Sequence, residues 1–163
     1  MILIPHLIIG AIIAIKFNSL PLIIFLALLS HYLLDAIPHI DYSIEGIRKN
    51  IRKNFFKDIS KIILDVTVGL IFIILIQHIT RVSPIKLATG AFLGTFPDLL
   101  TLLFFKFPKS KILKAHSFFH KKIHFLKENP TPEQIQYRAK KYHHSLRIST
   151  QIFVVLLGFL LLI

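Results

Sequence analysis

Asp35, Asp65 and Asp98 each stand inside a separate hydrophobic stretch of this 163-residue chain. His31 precedes Asp35 by four residues, in His31-Tyr-Leu-Leu-Asp35, and His6 stands in a fourth apolar stretch. A charged carboxylate at the centre of a membrane helix costs about 2.5–3.5 kcal/mol on insertion scales. Three of them in one short chain predict a shared cationic partner. The expectation is a metal site within the membrane or at its edge, with His6, His31, Asp35, His39, Asp65 and Asp98 as candidate ligands.

The spacing sharpens this for some residues more than others. His31 and Asp35 share one helix face, so an imidazole nitrogen and a carboxylate oxygen can meet one ion; the alternative is a helix end closed by a His–Asp hydrogen bond. His39 continues the phase and Asp41 follows, although Pro38 disturbs a helix there. Pro97 lacks the N–H that would reach the Leu93 carbonyl, so Pro97-Asp98 is expected to interrupt its helix beside a lined cavity. The alternative there is a packing kink with Asp98 paired to a cation. Gly90 and Gly94 form a G-x-x-x-G that admits a close helix neighbour. Asp65 lies one turn after Lys61, so an i,i+4 ion pair competes with a ligand role. His6 reads equally as a core histidine. His116, His120 and His124 recur every four residues on one face of a predicted basic helix. His116 and His120, with Asp35, are the candidate catalytic groups, the imidazoles as ligands or proton donors to a leaving group. Phe118, Phe119, Lys121 and Lys122 interleave with them, as in an amphipathic helix lying on anionic headgroups.

These groups need helices to hold them. The chain is 54% hydrophobic with a mean hydropathy of +0.68, more apolar than ordinary soluble domains. Five stretches lack Lys and Arg: Ile2–Ile15, Pro21–Ile37, Ile62–Ile79, Leu87–Phe105 and Ile148–Ile163. At 1.5 Å per residue the middle three reach roughly 26–28 Å, close to a bilayer core. The first and last are shorter, as tilted or half-inserted segments would be. The predicted fold is all-α: a polytopic membrane bundle of about four to five apolar helices plus a basic amphipathic cytoplasmic helix. It forms a single domain over residues 1–163, with 106–147 as a basic cytoplasmic insertion. Asn129-Pro-Thr-Pro-Glu133 reads as a turn within that insertion. A weak internal repeat relates the first two helices to the next two.

The net charge is +12, and 17 of the 20 Lys and Arg residues fall in Pro38–Lys61 and Lys106–Arg147. The positive-inside rule then places the N-terminus and both basic loops in the cytoplasm of an inner-membrane protein. On that orientation His6, His31, Asp35, Asp65 and Asp98 all lie towards the cytoplasmic side, although helix direction alternates. His78 alone lies towards the other face and is left out of the site. With no cysteine in the chain, a metal must be held by His, Asp or Glu, and imidazole ligation leans towards zinc.

At His31-x3-Asp35, Pro97-Asp98, His116-Ser117 and His120, the chain resembles the bacterial inner-membrane metal-dependent hydrolases. Those small polytopic proteins are distantly similar to zinc-dependent phospholipase C and the zinc single-strand nucleases. The family's usual motif order is reversed here, and Leu100 stands where its Pro-Asp-x-Asp has a second acid. The resemblance implies a helical bundle around a two- or three-zinc site built from His and Asp.

The expected activity is therefore metal-dependent hydrolysis of a phosphoester, such as a lipid headgroup, at the cytoplasmic face, with anionic membrane lipid as partner. The competing expectation is a non-enzymatic membrane protein, either a metal or ion carrier or a lipid-binding scaffold. Nucleic-acid binding is expected to be absent despite a pI near 10.1, because orientation in a membrane accounts for the basic loops.

Overall fold

The computed structural model describes residues 2–39, 42, 44–48, 52–124 and 144–162, and all of its regular structure is helical. In chain order the helices are α1 (Ile4–Lys16), α2 (Leu20–Ala36), α3 (Glu45–Arg48), α4 (Arg52–Thr80), α5 (Pro84–Lys106), α6 (Lys111–Ile123) and α7 (His144–Leu160). The predicted turn at Asn129–Glu133 lies outside the described residues. So does Asp41.

The helix boundaries have local causes. Proline stands in the first turn of α1, α2 and α5, where its missing N–H costs nothing and its fixed φ suits the helix. α2 stops at Ala36 because Ile37 precedes Pro38. The Pro38 ring disfavours helical backbone there, and Ile37 is extended at φ −80° and ψ 146°. α4 starts at Arg52, ten residues before its apolar stretch. That run begins after Lys61, and the polar and aromatic residues before it continue the helix. Two segments, Lys53–Thr80 and Pro84–Lys106, are long and apolar enough to cross a membrane. α1, α2 and α7 are shorter apolar helices.

α1 is the central helix. It packs against α5, α2, α4 and α7, and Leu7, Ile8, Ala11 and Ile12 form a core with Ile73 and Ile76 of α4 and Leu87 and Ala91 of α5. Its meeting with α5 is a backbone contact. A Cβ on Gly90 would lie 2.2 Å from the Gly10 carbonyl oxygen, and one on Gly94 2.5 Å from the His6 carbonyl oxygen. The Gly90–Gly94 pair thus admits α1 as its close neighbour. This contact draws His6 onto the stretch of α5 that carries Asp98.

α5 runs unbroken through Pro97, contrary to the expected interruption. Pro97 is fully buried, and packing on its neighbours holds a helix that has lost one hydrogen bond.

Candidate metal centre

α2 and α6 face each other as two ladders of four-residue spacing. α2 and the two residues after its cap carry His31, Asp35 and His39; α6 and its cap carry His116, His120 and His124. α6 begins at an N-cap, where the Ser110 hydroxyl accepts from the Leu113 N–H, and its inner edge buries Ser117 and His120. The rings of His31 and His120 lie 5.3 Å apart, and those of His39 and His124 4.8 Å apart.

One ligand atom from each of His31, Asp35, Asp98 and His120 lies within 4.8 Å of the other three. His31 Nε2 is 3.2 Å from His120 Nε2, 3.1 Å from Asp35 Oδ2 and 3.8 Å from Asp98 Oδ1. His120 Nε2 is 2.5 Å from Asp35 Oδ2 and 3.7 Å from Asp98 Oδ1. Donor atoms arranged tetrahedrally at zinc's usual 2.0–2.1 Å stand ~3.3 Å apart. The five separations bracket that value.

The tautomers make the fit chemical as well as geometric. His31 Nδ1–H donates to the Gly94 carbonyl at 2.8 Å, which leaves its Nε2 as the lone-pair nitrogen. The Thr101 hydroxyl donates to the Pro97 carbonyl at 3.2 Å and lies 3.1 Å from His120 Nδ1, which suits the tautomer with the proton on Nδ1. In that tautomer the lone pair of His120 Nε2 faces the cluster. Two imidazole lone pairs and a carboxylate oxygen then converge in a site where His31 and Asp35 are fully buried. One proton would satisfy one of these contacts, whereas a divalent cation satisfies them together. Asp98 Oδ2 is also buried without a hydrogen-bond partner, although buried polar atoms are normally paired. These residues fit a metal ion. Thr101 is a candidate site residue that sequence reasoning missed, because its contact with His120 depends on α5 lying beside α6.

The remaining candidates fall around this group. His6 Nε2 sits 3.4 Å from Asp35 Oδ1, and the His6 ring lies 4.3 Å from that of His31. His39 lies past the end of α2, where its Nδ1–H donates to the Ile37 carbonyl at 2.7 Å. His116 stacks on His120 at 5.6 Å, and its Nε2 lies 3.3 Å from the Tyr32 hydroxyl. Burial first, and the neighbouring His120 second, push the His116 imidazole below the ordinary histidine range.

Asp65 is not gathered with the others. Its Oδ2 accepts the Leu3 N–H at 2.5 Å and the Tyr42 hydroxyl at 3.2 Å, and its Oδ1 accepts the Ile4 N–H at 3.3 Å. It caps the start of α1 from α4. Nor is it tied to Lys61, whose ammonium reaches Asp58 at 2.9 Å.

No family model matches this chain. Neither does a curated protein or a solved structure. The functional reading therefore rests on the geometry and chemistry of these side chains.

Proposed function

We propose that this protein is a membrane-embedded, metal-dependent hydrolase that cleaves a phosphoester, such as a lipid headgroup, at the cytoplasmic membrane face. The observation that carries the reading is the convergence of His31 Nε2, His120 Nε2 and Asp35 Oδ2, with Asp98 Oδ1 beside them. Two imidazoles and two carboxylates without any thiolate suit zinc. With His31, His120 and Asp35 as its protein ligands and Asp98 beside them, a bound divalent ion would keep a position for water and would supply an acidified nucleophile and charge stabilisation at the phosphoryl oxygens. The resemblance at His31-x3-Asp35, Pro97-Asp98 and His116-Ser117 supports the same reaction class.

The chain's own residues divide the remaining work. Gly94 and Thr101 orient the two imidazoles. His116, held neutral beside the Tyr32 hydroxyl, is suited to pass a proton to or from the leaving group. Lys111, Lys114, Lys121 and Lys122 on α6 attract an anionic substrate. Ile112, Phe118 and Phe119 are exposed on the same helix, which suits the acyl-chain boundary of an anionic leaflet. In this reading α1, α2, α4, α5 and α7 form the polytopic bundle, and the basic segments lie in the cytoplasm by the charge asymmetry.

The test is hydrolysis of bis(p-nitrophenyl) phosphate and of phospholipid in mixed micelles by zinc-loaded protein, beside Asp35→Ala and Asp98→Ala. Release of phosphate ester products by wild type, lost in both variants and after chelation, is the expected result. A folded, zinc-loaded wild type that hydrolyses neither substrate would overturn the reading. Cation uptake into metal-free liposomes that depends on Asp35 and Asp98 would replace it with a carrier.

A further inference from the structure

Arg147 closes the last basic stretch of the sequence, yet it stands half-buried in the first turn of α7. Its Nε donates to the His39 carbonyl at 2.6 Å. Among the described residues the guanidinium makes no other hydrogen bond and no ion pair, so four of its five N–H donors remain for another partner. A cation there stands at the positive end of the helix dipole, and the turn holds no acid. Nothing in α7 itself accounts for the charge.

A half-open groove runs beside it between α2 and α7. Leu34, Ile37 and Val154 line it with Pro5 of α1, next to His39 and Thr150. The Thr150 hydroxyl donates to the Pro38 carbonyl, so α7 is clamped to two successive carbonyls and the walls are held together at this end. We propose that Arg147 and this groove bind one anionic glycerophospholipid, with its phosphate on the guanidinium and part of an acyl chain between α2 and α7. The inference rests on the lipid-phosphoester reaction proposed for this protein and names how that substrate is held.

The order of residues with depth supports this occupant. By the charge asymmetry, the end of α2 and the start of α7 both lie at the cytoplasmic surface. Leu34 is four residues inward from Pro38, and Val154 is four inward from Thr150 and seven from Arg147. Positions 147, 150 and 154 share one face of α7. The groove therefore has a cation at the surface and apolar walls beneath it, the order in which a phospholipid presents its phosphate and chains. The guanidinium fork matches phosphate oxygens in pairs. A free phosphate would leave the apolar walls uncovered, and a neutral lipid would leave the guanidinium unmatched. The groove holds about 220 Å³ of empty space, part of it open to the surroundings. Sites for whole small ligands start near ~300 Å³, so this one seats a segment of a single chain. Its inner walls adjoin the candidate metal centre, since Pro5 and Leu34 immediately precede His6 and Asp35.

The test is native mass spectrometry of the delipidated, zinc-free full-length chain in detergent. The probes are dioleoyl phosphatidylglycerol, dihexanoyl phosphatidylglycerol, dioleoylglycerol and inorganic phosphate. Wild type is expected to take up one dioleoyl phosphatidylglycerol in a saturable step and to bind the other three more weakly. Arg147→Gln should weaken that step roughly 10–100-fold, the loss expected for hydrogen bonds to a charged group, and leave dioleoylglycerol unchanged. Val154→Trp, which fills the groove, should weaken the dioleoyl lipid and leave the dihexanoyl lipid unchanged. It also keeps the clamp on His39, so it decides the matter if Arg147→Gln fails to fold. Dioleoyl phosphatidylglycerol uptake that is unchanged in both variants would overturn the proposal, as would inorganic phosphate bound as tightly as the lipid. One Arg147-dependent lipid without phosphoester hydrolysis would leave this site standing and remove the proposed reaction. Hydrolysis of bis(p-nitrophenyl) phosphate by a chain that shows no such lipid step would do the reverse.

Discussion

Asp35 and Asp65 look alike in the sequence and do opposite work in the fold. Both are buried, and both interrupt an apolar stretch. Around Asp65 the neighbours are hydrogen-bond donors: two backbone N–H groups at the start of α1 and the Tyr42 hydroxyl. That carboxylate is satisfied by the protein alone. Around Asp35 the neighbours are His31, His120 and His6. The first two have their Nδ1 atoms directed elsewhere, to the Gly94 carbonyl and the Thr101 hydroxyl, so their Nε2 atoms face the carboxylate. A buried acid among donors is a structural cap. A buried acid ringed by imidazole Nε2 atoms shares a cation with them, whether a proton or a metal ion, and that difference separates the candidate metal centre from Asp65.

The largest effect expected from this contrast is at Asp35. Asp35→Asn should lower metal affinity by more than about 100-fold, above the 10–100-fold typical of outer-shell losses, while circular dichroism keeps its helical signature. Metal content that survives in a folded Asp35→Asn protein would erase the distinction between the two aspartates.

Thr101→Val tests the positioning of His120 through its other nitrogen. Metal affinity should fall ~10–100-fold, and Thr101→Ser, which keeps the hydroxyl, should recover it. A purely structural role for Thr101 would lower thermal stability in the valine variant without that selective rescue of affinity.

Gly90→Ala and Gly158→Ala compare two tight glycines. At Gly90 the new Cβ meets the Gly10 carbonyl oxygen at 2.2 Å. At Gly158 the nearest atom, at 2.8 Å, is Ile12 Cδ1, the free end of a side chain. Overpacking costs typically 1–3 kcal/mol. Gly90→Ala should reach the upper end of that range, since backbone must move, and Gly158→Ala the lower end. Denaturation midpoints of the two variants in one detergent measure the difference.

Asp65→Ala should cost about 1–3 kcal/mol, the usual penalty for leaving buried donors unsatisfied, and should leave metal stoichiometry unchanged. Loss of metal together with stability would join the two regions that the structure separates.

The sequence by itself determined the helical elements and the chemistry available to them. Apolar runs of this length, punctuated by Pro5, Pro21, Pro38 and Pro84, have few alternatives to helices. The absence of cysteine confines any metal to His and carboxylate ligands. Four-residue spacing placed His31 with Asp35, and His116 with His120 and His124, because that spacing is a property of a single helix. Which ladder meets which is a property of several helices at once, and only the tertiary structure decided it. The Gly10–Gly90 contact sets α1 against α5, which brings His6 towards Asp35. The packing of α6 on α2 pairs His120 with His31 and His124 with His39. The docking of α4 at the start of α1 diverts Asp65 to backbone donors. An apolar environment states how costly a buried acid is, but not whether donors or lone pairs will surround it, since those partners lie as far as 85 residues away in the chain.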